Sequence, residues 1–120
     1  MPTRKPGEPY TRISVDEAKE MLGNPDVCFV DVRRSDEYEE GHVTGATHIP
    51  VDDILERSSE LPNDKKLLFI CAAGVRSGLA CEMAAAAGFH DEILFNVEDG
   101  TPVWLEKNYP ATMGSEPGEI

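Results

Sequence analysis

The chain predicts an α/β domain built on a mainly parallel sheet. Two short, unbroken apolar runs, Val27-Cys28-Phe29-Val30 and Leu67-Leu68-Phe69-Ile70, have the character of strands covered on both faces. Segments with helical signals alternate with these runs, the pattern of strand–helix–strand units. The 120 residues, 40% hydrophobic and 28% charged, have ordinary globular composition and fit one domain that needs no disulfide or metal to hold a core.

Each element follows from local signals. Residues 1–10 hold three prolines and a glycine and are expected as a flexible tail, as are residues 111–120 with Gly114, Pro117 and Gly118. The domain occupies 11–110. Ser14 and Glu17 form a capping box that starts a helix, Ala18, Met21 and Leu22 mark its apolar face, and Gly23-Asn24-Pro25 ends it. Val27–Val30 is a strand, Ser35–Glu40 a short helix closed by Gly41, and Ala46–Ile49 a second strand. A further helix is expected over Val51–Glu60, then a turn at Leu61-Pro62-Asn63-Asp64. Leu67–Ile70 is the clearest strand. Residues 76–87 read as a helix with Leu79, Met83 and Ala87 one turn apart and Gly88 as its stop. Ile93–Phe95 is the last strand, and Pro102 sits in the first turn of a closing helix through Lys107, with Trp104 packing it on the core.

A formal net charge of -12 repels phosphate backbones and anionic membrane surfaces, so neither nucleic acid nor membrane is expected as a partner. A basic protein is compatible with it. The first residues lack a signal-peptide pattern, and no run reaches the length of a membrane span. Cys28, Cys71 and Cys81 do not form a secreted disulfide framework, and the expected compartment is the cytoplasm, with the protein a monomer. No His or Cys pair has metal-ligand spacing, so neither metal nor cofactor is expected.

The segment Ile70-Cys71-Ala72-Ala73-Gly74-Val75-Arg76-Ser77 carries the chemistry. A cysteine ends a buried strand, a loop of small residues follows, and a helix begins. Loop amides converging on one point make an anion nest, and the helix start adds the equivalent of roughly half a positive charge. Arg76 is expected to add a full charge nearby, and Gly74 to supply a positive φ. Each electrostatic contribution favours thiolate over thiol, so Cys71 is expected to ionise readily, attack a sulfane sulfur and hold it as a persulfide until a second nucleophile removes it. Cys28, inside a strand, and Cys81, in mid-helix, read as packing residues.

Two motifs, taken together, resemble the rhodanese family over roughly residues 11–110. The first is Asp31-Val32-Arg33, Glu37-Tyr38, Gly41-His42-Val43, Gly45-Ala46 and Ile49-Pro50; the second is Cys71-Ala72-Ala73-Gly74-Val75-Arg76-Ser77. The resemblance implies a three-layer α/β/α domain with a five-stranded parallel sheet, Cys71 as sulfur carrier, and Ala72, Ala73, Gly74, Val75, Arg76 and Ser77 as the binding cradle. It implies thiosulfate sulfurtransferase activity with cyanide or a thiol as acceptor. A carrier that exchanges sulfur only with a protein partner is the alternative. Related phosphatases and arsenate reductases use a loop one residue longer; the four residues between Cys71 and Arg76 suit a single sulfur atom. Arg76 is the loop's lone cation, which points toward a protein persulfide, polysulfide or glutathione persulfide as donor. The paired glycines common before the tryptophan are replaced here by Asp99-Gly100-Thr101.

Among the remaining polar residues, His42 reads as a turn histidine bonded to backbone. Asp31 is expected to bond the loop or a nearby arginine, and Arg33 to pair with Glu37. The run Asp36–Glu40 reads as a solvated face.

Overall fold

The computed structural model describes all 120 residues. Five strands, β1 (Thr11–Ile13), β2 (Val27–Asp31), β4 (Thr47–His48), β5 (Lys66–Ile70) and β6 (Leu94–Val97), form one sheet in the order β1-β6-β5-β2-β4. All its pairings are parallel. Two further short strands, β3 (His42–Val43) and β7 (Ala111–Thr112), pair antiparallel.

Side-chain alternation divides the sheet's apolar residues between two cores. Val30, Leu67, Phe69 and Leu94 join one cluster with Ala80, Cys81 and Ala84 of α3 (Val75–Ala86). Phe29, Leu68, Ile70 and Val97 join the other. There they meet Val15 and Ala18 of α1 (Val15–Met21), Tyr38 of α2 (Ser35–Glu40) and Trp104 of α4 (Thr101–Glu106). Helices on both faces make the expected three layers. The predicted capping box is present: Ser14 Oγ accepts from the Glu17 amide at 3.1 Å, and Glu17 Oε1 from the Ser14 amide at 2.9 Å.

The structure departs from the sequence reading in four places. Strand β1 was not anticipated, because Thr11 and Arg12 are polar and pair only at the sheet's edge. The segment expected as one helix over Val51–Glu60 forms two single 3₁₀ turns, Val51–Asp53 and Ser58–Glu60, since only Ile54 is buried there and no apolar stripe anchors a helix. The buried face of α3 is Ser77, Gly78, Ala80, Cys81 and Ala84, while Leu79 is 45% exposed. Small residues let the helix lie close on the sheet. Finally, the two ends pack on the domain. Thr3 and Arg12 exchange backbone hydrogen bonds, and Tyr10 is buried in the core. Strand β7 pairs with β3, and the Gly45 amide donates to Pro117 O at 2.7 Å.

His42 fastens the C-terminal segment. Its ring is fully buried and stacked on Tyr38, with Nδ1 2.7 Å from Tyr38 O and Nε2 3.0 Å from Glu116 O. This is the backbone-bonding role expected of it.

Candidate active site

Cys71 follows the carboxyl end of β5, at the centre of the sheet, where open parallel sheets place their ligands. Its side chain is 1% exposed and lies beneath the loop that leads into α3. The Gly74 amide donates to Cys71 Sγ at 3.1 Å, and Ser77 Oγ stands 3.3 Å from it. Burial pushes the thiol pKa up, but hydrogen bonds from Ser77 and from the Ala73 and Gly74 backbone outweigh it, leaving the pKa below that of an ordinary thiol. Cys81, also in the core, lacks such donors, and burial drives its thiol well above that value. Burial also raises the Cys28 thiol.

Two glycines shape the loop. Gly74 caps α3 with φ +89°, and a Cβ there would sit 2.8 Å from Glu98 O. Gly100, φ +84°, packs beneath the loop so closely that a Cβ would come 1.9 Å from Ala72 O. The next amide, of Thr101, donates to Cys71 O at 2.8 Å. The end of β6 and the start of α4 thus hold the loop from below, and the Asp99-Gly100-Thr101 sequence keeps a glycine where the contact demands one.

Ser77 and Asn96 form a buried relay behind the sulfur. Asn96 Nδ2 donates to Gly74 O at 3.1 Å, which turns Oδ1 toward Ser77; the Ser77 hydroxyl donates to it at 2.6 Å. Ser77 has a single hydroxyl proton, so a donation to Cys71 Sγ is made in place of the one to Asn96 Oδ1.

The arginines are arranged differently from expectation. Arg33 does not pair with Glu37: it precedes α2, outside the i,i+4 geometry of a helix, and its Nη2 lies 2.8 Å from Asp31 Oδ2 and 2.8 Å from Gly41 O. Glu37 instead takes Arg76 through two hydrogen bonds, of 2.6 and 3.0 Å. The charge expected to act freely on Cys71 is therefore matched by a carboxylate. Of the other loop residues, Ala72 is half-buried, Ala73 is exposed and Val75 is 79% exposed.

A rhodanese-like domain family model matches residues 14–107, from the capping serine through the last helix. The chain belongs to the rhodanese-like family. The "Putative sulfurtransferase YtwF" of Bacillus subtilis is 34% identical over 99 residues, covering 82% of this chain and 93% of that protein. "Thiosulfate sulfurtransferase GlpE" of Tolumonas auensis is 28% identical, covering 86% and 94%. A rhodanese-related protein from Thermoplasma volcanium has a crystal structure matching this one at a TM-score of 0.73, with 30% identity and coverage of 85% and 97%.

In this rhodanese domain, the sequence motifs single out Cys71 and its loop as candidates but miss three neighbours that support them. Asn96 lay beyond the strand expected at Ile93–Phe95. Local spacing pairs Glu37 with Arg33 instead. Gly100 reads from sequence only as part of a variant turn. The signal available for Asn96 was a polar residue beside an apolar strand run, a position that calls for a buried partner. No group of three or more His, Cys, Asp or Glu side chains gathers as a metal site, and no helix is long and apolar enough to cross a membrane.

Proposed function

We infer that the protein is a sulfurtransferase that carries a sulfane sulfur on Cys71. The observation behind this reading is the Gly74 amide directed at Cys71 Sγ, 3.1 Å away, at the start of α3. With thiosulfate, the Cys71 thiolate attacks the outer sulfur; a new S–S bond forms, the old one breaks, and sulfite leaves with the bonding electrons. A persulfide donor reacts likewise and leaves as its thiolate. The terminal sulfur on Cys71 is itself anionic, and the amides of Ala73, Gly74 and Ser77 suit it as donors. Cyanide or a thiol then attacks that terminal sulfur and regenerates the Cys71 thiolate.

The sulfurtransferase names of the relatives support the reading, as does a loop sized for one sulfur. Intact-mass measurement after incubation with thiosulfate, and separately with an organic persulfide, tests it. The mass is expected to rise by one sulfur, to fall back on cyanide treatment, and to stay unchanged in Cys71→Ser. Failure to gain sulfur from either donor refutes the proposal.

A further inference from the structure

The arginines around the Cys71 loop are each matched by a carboxylate. Three hollows surround it. One, of about 510 Å³, runs beside Tyr10, Arg12, Glu82 and Glu98. Another, of about 390 Å³, includes Arg34, Asp52 and Arg76, and a third, of about 370 Å³, includes Arg33, Glu37 and Glu40. Each guanidinium in these walls already has a carboxylate: Arg12 bonds Glu8 at 2.9 Å, Arg33 bonds Asp31 at 2.8 Å, Arg34 bonds Asp36 at 3.2 Å and Arg76 bonds Glu37 at 2.6 Å. Glu40, Asp52 and Glu82 are exposed carboxylates outside these pairs. The approach to the sulfur is therefore negative, in a protein of net charge -12.

We propose that the site takes sulfur donors and acceptors that are neutral or cationic around the reacting sulfur and discriminates against dianions, thiosulfate included, and that Glu37 sets this preference by holding Arg76. This rests on the sulfurtransferase reading and specifies its substrate class. Glu37 bonds both terminal nitrogens of Arg76, so an arriving dianion meets a guanidinium whose charge is already matched. The carboxylate is anchored as well by the Arg34 amide at 3.1 Å. Glu37 and Arg76 side chains are only 20% and 30% exposed, so solvent screens the pair incompletely.

The test compares two methanethiosulfonates of similar size, one with an aminoethyl and one with a sulfonatoethyl group. Each forms a disulfide with a thiolate as methanesulfinate leaves, so their rate ratio reads charge preference whether or not Cys71 carries sulfur. Rates at Cys71 are followed by peptide mass and normalised to a free thiol. At low salt the cationic reagent is expected to react about tenfold faster or more, and salt should shrink the ratio. Glu37→Gln, which retains the oxygen facing the Arg34 amide, should lower the ratio severalfold and raise persulfide loading from thiosulfate relative to a neutral organic persulfide. Equal or faster reaction of the anionic reagent with the unmodified sequence overturns the proposal, as does a ratio unaltered in folded Glu37→Gln. The salt dependence of the unsubstituted protein tests the same field without any variant.

Discussion

The lowered pKa of Cys71 comes from the groups that donate to it, against the effect of burial. Ser77 contributes most among the groups that lower its pKa, through both side chain and backbone. Ser77→Ala should therefore move the pH midpoint of Cys71 alkylation upward, toward that of an ordinary thiol, measured as iodoacetamide rate against pH. The same change leaves Asn96 Oδ1 without its donor, and chemical denaturation should register a loss of about 1–3 kcal/mol. Arg76→Ala tests the opposite case: because Glu37 already balances that charge, the midpoint should move less than in Ser77→Ala. A larger shift in Arg76→Ala would restore the arginine as the principal determinant.

Elements converge on the loop from three sides: β5 delivers the cysteine, α3 directs its first turn at the sulfur, and the start of α4 supports the loop from beneath. Gly100→Ala should cost at least about 1–3 kcal/mol from its backbone conformation alone, and the collision with Ala72 O should also displace the loop, slowing Cys71 alkylation. Thr101 offers a contrast. Its hydroxyl is buried without a hydrogen-bond partner, whereas its amide holds Cys71 O. Thr101→Val retains the amide and removes the unpaired hydroxyl, so Tm should stay level or rise. The apolar strands β2 and β5 and the capped helix α1 were legible in the sequence because their signals are local. Strand β1 was not, since an edge strand of three residues needs β6 to define it. The loop's cysteine and glycine were legible from spacing, but the Glu37–Arg76 pair joins residues far apart in the chain, and the sequence offered Arg33 as a nearer partner for Glu37.

Across the whole molecule, acidity and packing interact. Hydrogen bonds from Arg76 hold Glu37 down at about 2, and those from Arg12 hold Glu8 down at about 2, against 4.5 for an ordinary glutamate. A carboxyl with a lower pKa folded than unfolded stabilises the fold above its unfolded value and loses that contribution as pH falls through the folded one. Stability measured by denaturant titration should accordingly decline between about pH 4.5 and 2, and Glu37→Gln should flatten part of that decline. The central claim, that backbone and Ser77 donors stabilise an anionic sulfur at the end of β5, is tested most directly by following alkylation of all three cysteines against pH, resolved by peptide mass. Cys71 should titrate below an ordinary thiol measured alongside it, with Cys28 and Cys81 above that thiol. A Cys71 midpoint at or above that of the ordinary thiol would contradict the account.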